Sequence, residues 1–243
     1  MEFDDIFLET IDSTQEYAKK NVDKFDISKI TCITADFQTK GKGRFNREWL
    51  SPKEDNLMIT FYFQLKTNTL HLHSITHILA ISLIKVLRDN NLDPKIKWPN
   101  DVMLDNKKLS GILCEIQTKN DKADIFLGIG INVNANIEFL NTIDQKATSL
   151  KVETKKTWDK KNLLENLKLV FSKNLKLFKE KGFEPFHEKF ENLLLYKGEK
   201  ITFFDGQKEH KGILHSISSD GQLNLYMPDK EMLTFAAGDI LCK

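Results

Sequence analysis

The 243-residue chain is poor in the residue types that mark several protein classes. Its three cysteines, Cys32, Cys114 and Cys242, are odd in number and far apart, so a disulfide framework is not expected. Five prolines and eleven glycines are too few for a fibrous or low-complexity protein. No apolar run approaches the roughly 20 residues of a membrane helix, and no apolar stretch follows the acidic start at residues 1–5. We therefore expect a cytoplasmic protein without membrane association.

An excess of one charge is also lacking. Lys and Arg number 36 against 35 Asp and Glu, for a net charge of +1, which disfavours a nucleic-acid partner. Arginine is scarce as well, since Arg44, Arg47 and Arg88 are the whole set. A guanidinium grips phosphate or carboxylate at two points, whereas an ammonium acts as a point charge. Arg44 and Arg47 are three positions apart, and this clustering points to an anion-binding site.

Hydrophobic periodicity divides the chain into a mixed region and an all-β region. Ser13 and Glu16 have the spacing of a helix-capping box. The predicted strands are 4–9, 29–35, 57–65, 95–98, 102–104, 109–116 and 123–132, and the predicted helices begin near 13 and cover 73–90, 158–180 and 183–195. Residues 37–56 form a long loop, and loops of this length are commonly functional. Short strands and turns after Gly198 predict a small closed barrel. We place the domain boundary near Tyr196, giving domains 1–195 and 196–243.

A glycine-rich basic segment lies in the long loop. Gly41, Lys42, Gly43 and Arg44 would let backbone N–H groups close on an anion between cations. The segment is not a phosphate-binding P-loop, because Asp36 stands where the first glycine belongs and neither Ser nor Thr follows the lysine. A flexible basic surface loop is the alternative.

The glycines of residues 128–132 also do not form a dinucleotide fingerprint, since Val133 stands where the motif needs glycine. They favour instead a strand that another group approaches closely.

Two further segments combine lysine with polar turns. Residues 97–101, Lys-Trp-Pro-Asn-Asp, predict a turn between strands, although a turn alone does not explain the lysine and tryptophan. In the strand that follows, regular alternation would put Lys108 and Ser110 on one face and Leu109 on the other. Solvated lysines are the alternative here. His73 and His77 have metal-ligand spacing, but no carboxylate or cysteine completes a set, so we interpret that segment as a polar helix start.

In this order, five segments resemble motifs of the biotin protein ligase family. They are Asp-Ser-Thr-Gln at 12–15, Gln38 with Gly-Lys-Gly-Arg at 41–44 and Arg-Glu-Trp at 47–49, Lys-Trp-Pro-Asn-Asp at 97–101, Lys-Leu-Ser-Gly-Ile-Leu at 108–113, and Gly-Ile-Gly-Ile-Asn at 128–132. The sequence departs from the family pattern at Gln15, where asparagine is usual, and at Lys42, where arginine is usual. The family also has repressor members with an N-terminal DNA-binding domain. Here the first motif begins at residue 12, so no DNA-binding role is expected.

The resemblance implies a fold and an activity. The fold is α+β, with a mixed sheet flanked by helices as in class II synthetase-like ligases, followed by a small Src-homology-3-type barrel. The implied enzyme joins biotin and ATP into biotinyl-5′-AMP with Mg²⁺. It then transfers biotin to a lysine of a biotin carboxyl carrier domain, in acetyl-CoA carboxylase or another biotin-dependent carboxylase. A homodimer is a further expectation from relatives.

The resemblance also assigns roles to individual residues. The implied catalytic residues are Lys108, Arg44 and Asp101, and Asp101 is also the candidate near the magnesium ion. The implied biotin-binding residues are Ser13, Thr14, Gln15, Gln38, Gly41, Lys42, Gly43, Arg44, Lys108 and Gly111. The implied ATP-binding residues are Arg44, Arg47, Trp49, Lys97, Asn100, Asp101, Lys108 and Asn132.

Two other functions compete with this interpretation. A lipoate or octanoate ligase or transferase would share the fold class, but its usual Arg-Arg-x-x-Gly-Gly signature is absent from the sequence. A non-enzymatic interaction protein could use the barrel to bind a peptide or a nucleic acid, and the near-zero net charge disfavours the nucleic acid.

Overall fold

A computed structural model describes residues 1–241 of the chain. Cys242 and Lys243, the end of the predicted barrel domain, lie outside the described residues. The strands are β1 (Phe3–Ile11), β2 (Ile30–Gln38), β3 (Leu57–Lys66), β4 (Lys95–Lys97), β5 (Asp101–Leu104), β6 (Lys107–Lys119), β7 (Lys122–Ile131), β8 (Lys200–Phe204), β9 (Glu209–Ile217), β10 (Leu223–Tyr226), β11 (Met232–Phe235) and β12 (Asp239–Leu241). The α-helices are α1 (Thr14–Lys20), α2 (Ile75–Arg88), α3 (Ile137–Leu140), α4 (Leu150–Thr154), α5 (Lys160–Lys181) and α6 (Glu184–Asn192).

Seven strands form one mixed sheet, in the order β1-β2-β3-β7-β6-β5-β4. β1 and β2 run parallel, and the remaining neighbours are antiparallel. Because side chains alternate along a strand, Phe61 and Phe63 of β3 join the core beneath α2 and α5, while Tyr62 faces α1. α1 begins as the capping box predicts, since the Ser13 hydroxyl accepts a hydrogen bond from the Glu16 N–H group. The α1 face of the sheet is covered less fully than the other face, and this leaves room for a cleft.

The C-terminal strands form a second, antiparallel sheet in the order β11-β10-β9-β8-β12, with its own buried residues Phe203, Leu214 and Leu225. The α+β fold class, with a mixed sheet and a small C-terminal β domain, is confirmed. Before this domain, the chain still hydrogen-bonds to the first sheet, because Ile96 N–H donates to the Leu193 carbonyl and Leu195 N–H donates to the Ile96 carbonyl. The boundary near Tyr196 stays a prediction.

The turn at 218–222 of the C-terminal domain packs against the first domain. The buried Trp98 indole Nε1 donates to the Gly221 carbonyl at 3.0 Å, and the Ser74 hydroxyl donates to the Asp220 carbonyl at 2.6 Å. The tryptophan that a turn alone did not explain therefore holds the two domains together. Over residues 1–241, the helices are all too short or too polar to span a membrane.

Candidate active site

A cleft opens on the α1 face of the first sheet, between the start of α1, the loop at 39–56 and the C-terminal domain. Most of the predicted site residues line it, namely Ser13, Thr14, Gln15, Gln38, Lys42, Gly43, Arg44, Arg47, Trp49, Asn100, Asp101, Lys108 and Gly111. Sequence reasoning missed several others that also line it, including Glu48, Thr60, Gln145 and Asp239. The cleft is partly open to solvent, and its free volume of about 90 Å³ is below the several hundred Å³ of a typical small-molecule site. The Trp49 ring takes up part of the space over Gly111 and Gly130.

Two glycines form a trough at the bottom of this cleft. Gly111 of β6 and Gly130 of β7 pair directly across the sheet, and the Trp49 ring lies on them. A Cβ atom at Gly130 would stand 2.3 Å from Trp49 Cε2, and one at Gly128 would stand 2.5 Å from Gln15 Oε1. The predicted close approach to this strand is therefore confirmed. The buried Trp49 Nε1 has no hydrogen-bond partner within residues 1–241.

The floor of the cleft is a hydrogen-bonded set of hydroxyl and amide groups. Thr14 donates from both its backbone N–H and its hydroxyl to Gln38 Oε1, at 2.8 and 3.0 Å. The Thr14 and Thr60 hydroxyls lie 2.9 Å apart. Because Gln38 Oε1 already accepts two hydrogen bonds, the Gln38 amide nitrogen remains as its donor. Thr60 gave no sequence signal, since a threonine in an alternating strand is ordinary.

Alternating charges surround the start of α1. Lys42 Nζ lies 2.7 Å from Glu16 Oε1, and Lys19 Nζ lies 3.0 Å from the same oxygen. Hydrogen bonds from Lys42 and then from Lys19 lower the pKa of Glu16, against the opposing effect of burial. Lys19 also contacts Glu115 Oε1 at 2.6 Å. The Glu16–Lys42 ion pair thus ties the long loop to α1.

Lys108 is placed by an irregularity in β6. The pairing of β5 with β6 shifts register between Val102 and Met103, which leaves Leu109 as an extra residue. A Cβ at Gly111 would meet Lys108 Cε at 3.1 Å, so Lys108 reaches over Gly111 into the cleft. The predicted shared face of Lys108 and Ser110 is therefore wrong, because Lys108 lies on the face of Gly111, and the adjacent Ser110 faces the opposite, buried side. Regular alternation fails where the bulge turns the lysine toward the cleft.

The two arginines of the loop meet an acid from the C-terminal domain. Arg44 Nη1 donates to Asn100 Oδ1 at 3.3 Å and to Asp239 Oδ1 at 3.1 Å, and Arg47 Nη2 lies 2.7 Å from Asp239 Oδ2. Burial lowers the pKa of Arg44, while Asp239 and Asp101 raise it in part. Asp239 therefore bridges the two guanidinium groups.

Comparison with known proteins identifies the family. Residues 7–132 match the Biotin/lipoate A/B protein ligase family. The chain belongs to this family. It is similar to the biotin protein ligase from Aquifex aeolicus in complex with biotin and ATP, with 35% identity, a TM-score of 0.81, and coverage of 98% of this chain and 97% of that chain. The expected resemblance to biotin protein ligases is confirmed.

Similar sequences among characterised proteins are also biotin ligases. The bifunctional ligase/repressor BirA of Escherichia coli is 36% identical over 128 residues, which cover 52% of this chain and 39% of that protein. The biotin–[acetyl-CoA-carboxylase] ligase of Paracoccus denitrificans is 28% identical over 203 residues, covering 81% and 84%. The matched region covers 52% of the length of BirA from Bacillus spizizenii and 39% of the length of BirA from Escherichia coli. The chain thus spans about half the length of these relatives or less.

Three predicted residues of this family member do not line the cleft. Gly41 accepts a backbone hydrogen bond from Trp49 N–H at 2.9 Å, at the base of the loop. Asn132 is buried, and its Oδ1 accepts from Asn56 Nδ2 at 3.2 Å. Lys97 ends β4 and pairs in register with Asp101. Their assigned roles in binding biotin or ATP stay predictions.

The donors around the cleft fit a magnesium ion carried in by phosphates. Among residues 1–241, no three His, Cys, Asp or Glu side chains form a metal cage. Mg²⁺ commonly takes one or two protein carboxylates and completes its shell with phosphate oxygens and water. Asp101 Oδ1 is buried and pairs with Lys108 Nζ at 2.8 Å. Asp101 is the carboxylate beside Lys108 that would hold such an ion together with phosphate oxygens.

Proposed function

We propose that the protein is a biotin protein ligase, which activates biotin with ATP to biotinyl-5′-AMP and transfers biotin to a lysine of a carrier domain. The observation that carries this proposal is the convergence of Lys108, Arg44 and Arg47 on a cleft with a polar, hydrogen-bonded floor. The similarity to a ligase solved with both small molecules supports it over nearly the whole chain.

The arrangement of charge suits a reaction between two anions. The carboxylate of biotin must approach the α-phosphate of ATP, and like charges about 4 Å apart cost about 4 kcal/mol at an effective dielectric of about 20. Cations fixed in advance around the reacting atoms offset this repulsion. Asp239 and Asp101 pair with these cations, and phosphates bound in the cleft would compete with the two carboxylates for the same side chains.

Each cation then has a defined part in the first step. Lys108 binds the biotin carboxylate and the α-phosphate oxygens, where negative charge develops as the new bond forms. Arg44 holds the phosphate of the adenylate, and Arg47 holds the leaving pyrophosphate. The Trp49 ring leaves the glycine trough and then covers the adenine. A magnesium ion held by Asp101 and the phosphates would neutralise further charge on the triphosphate.

The floor residues bind the ring of biotin. Ser13, Thr14, Gln15 and Gln38 offer hydrogen-bonding groups, and Lys42 and the Gly43 backbone close the loop over them. Asn100 orients Arg44 on the nucleotide side, at 3.3 Å. Apolar walls come from Ile112 and Ile129, which line the same cleft.

The second step needs a neutral acceptor amine. At a reference pKa of about 10.4, roughly one lysine in a thousand is unprotonated near pH 7.4. Asp101 is the candidate carboxylate for receiving the proton, since it lies beside Lys108 at the reacting centre. The acceptor is a carrier domain of acetyl-CoA carboxylase or of another biotin-dependent carboxylase, and a homodimer stays a prediction.

Exchange of labelled pyrophosphate into ATP tests the function directly. We expect exchange that depends on biotin and Mg²⁺ and does not occur with lipoate, the substrate of the competing ligase. Exchange with lipoate instead of biotin would assign the protein to the other branch of the family. Absence of exchange with either acid would contradict a ligase of this kind.

A further inference from the structure

Gln15 is one of the two positions at which the chain departs from the family motif, and its longer amide is held at both hydrogens. Its Nε2 donates to Glu115 Oε2 at 2.9 Å and to the Phe126 carbonyl at 3.1 Å. Its Oε1 lies over Gly128 in the floor of the cleft, and the Thr60 hydroxyl approaches that oxygen at 3.4 Å. Gly128 leaves the space that this amide fills.

From these contacts we propose that Glu115 is a positioning residue that presents the Gln15 carbonyl oxygen to the substrate as a hydrogen-bond acceptor. The matching group is an N–H donor, and the ureido ring of biotin carries two. The inference rests on the proposed function, because it names the substrate group that the floor of the same cleft recognises.

The alternative orientation of the amide is excluded by its neighbours. If the amide turned over, Oε1 would face the Glu115 carboxylate and the Phe126 carbonyl, both of which are acceptors. In that orientation the amide would lose both hydrogen bonds, and the buried oxygens that face each other would have no donor between them. Lys19 keeps the carboxylate of Glu115 in place at 2.6 Å, and Glu115 and Glu16 raise the pKa of Lys19 although burial lowers it.

Gln15 and Lys108 lie at the two ends of the cleft. Gly128, under the Gln15 carbonyl oxygen, pairs with Leu113, and Leu113 is two positions along β6 from Gly111, under Lys108. The two ends of the cleft are therefore about 7 Å apart along an extended strand. The Gln15 oxygen suits a polar ring at one end, and the Lys108 ammonium suits a carboxylate at the other.

The test uses lactam analogues of biotin, in each of which one ureido N–H is replaced by CH₂, in the pyrophosphate exchange assay. In the wild type, one of the two lactams should have a KM at least about tenfold above that of biotin, because it lacks one buried hydrogen bond to the protein. In Glu115→Leu, the KM for biotin should rise about tenfold, the lactam penalty should shrink to about twofold, and the KM for ATP should stay within twofold.

A conservative variant and a matched control complete the design. Glu115→Gln keeps an oxygen acceptor for Gln15, so its KM for biotin should stay within about threefold of wild type and its lactam penalty should persist. Asp124→Leu removes a carboxylate that binds Tyr62 and Gln64 at 2.8 and 2.9 Å on the neighbouring strand, away from the cleft lining. It should leave the lactam penalty unchanged.

The failures of the two proposals are distinguishable. A wild-type enzyme that makes no biotinyl-adenylate would overturn the proposed function. An active wild type without a lactam penalty, or a Glu115→Leu variant that retains the full penalty, would overturn the role of Glu115. If Glu115→Leu does not fold, a tenfold rise in the biotin KM of Glu115→Gln would still overturn it, since charge and not the accepted hydrogen bond would then matter.

Discussion

Lys107 and Lys108 are adjacent lysines that the fold treats differently. Lys107 is half exposed and pairs with Glu153 at 3.1 Å, outside the cleft. The backbone of Lys108 is held on both sides, because its N–H donates to the Lys146 carbonyl and its carbonyl accepts from Thr148 N–H, each at 2.9 Å. The bulge at Leu109 then directs the Lys108 ammonium over Gly111. One residue of register thus decides which of the two lysines enters the cleft.

The first prediction compares these two lysines. Lys108→Ala should lower the rate of adenylate formation at least about a thousandfold, because a preorganised charge at the reacting atoms is worth about 4 kcal/mol. Lys107→Ala should stay within about threefold of wild type. Single-turnover formation of biotinyl-adenylate measures both. Equal effects of the two substitutions would show that the bulge does not select the catalytic lysine.

Residues within a motif could be predicted from the sequence, whereas isolated ones could not. Arg44 stands out because arginine is rare in this chain and sits among glycines. Asp239 contacts both loop arginines but is 195 positions from Arg44, and a single aspartate carries no sequence pattern. Thr60 and Glu115 occupy strand positions where threonine and glutamate are ordinary. Their roles follow from what the sheet brings beside them.

At the scale of the element, three anchors hold the loop at 39–56 across the cleft. Lys42 pairs with Glu16 of α1, the Trp49 ring lies in the glycine trough, and Arg47 pairs with Asp239. An antiparallel bridge between Lys42 and Glu48 joins the two arms of the loop. Because the Trp49 ring lies against Gly111 and Gly130, a substrate that reaches these two glycines has to displace the ring.

The second prediction removes that anchor. In Gly130→Ala, the new Cβ would stand 2.3 Å from the Trp49 ring, so the ring must leave the trough. Trypsin should then cut the loop, which contains Lys42, Arg44 and Arg47, about tenfold faster in the free enzyme. Gly43→Ala meets nothing closer than 3.4 Å, so its cleavage rate should match that of wild type. Equal rates in all three proteins would contradict a loop held by the trough.

The third prediction concerns the same loop with its ligands. Its cations repel one another unless an anion lies between them, and the bound substrates supply more negative charge than Asp239 alone. Biotin with ATP should therefore slow tryptic cleavage of the loop by about tenfold relative to the free wild-type enzyme. Unchanged cleavage on adding both ligands would argue against ordering of the loop by substrate.

Most elements could be predicted because their apolar residues repeat at the period of a strand or a helix. The strands predicted at 57–65 and 123–132 correspond to β3 and β7 within a residue or two at each end. The bulge in β6 had no such signal, since it depends on how Val102 and Met103 pair across from it. Local periodicity is a property of one segment, but register is a property of two.

At the scale of the whole molecule, a neutral histidine lies in the contact between the domains. His77 of α2 is buried against Phe190, with ring centroids 4.1 Å apart, and beside the Gly221 turn. Burial lowers the pKa of His77 to about 3, and the nearby Asp220 only partly opposes this. The imidazole of His77 is therefore uncharged at neutral pH where α2 meets the C-terminal domain.

The fourth prediction follows from the sign of that shift. An unfolded chain protonates His77 below a pKa of about 6.5, while the folded protein keeps it neutral down to about 3. The stabilising contribution is complete above pH 6.5, and it falls by about 1.4 kcal/mol per pH unit as the pH drops from 6.5 toward 3. As the pH drops, the free energy of unfolding of His77→Phe should fall by about 1.4 kcal/mol less per pH unit than that of the wild type. Urea denaturation at a series of pH values measures this difference. His215→Phe removes an exposed histidine of the C-terminal domain and should retain the wild-type slope. If the curves of His77→Phe and wild type run parallel between pH 6.5 and 4, then His77 does not stay neutral in the folded protein.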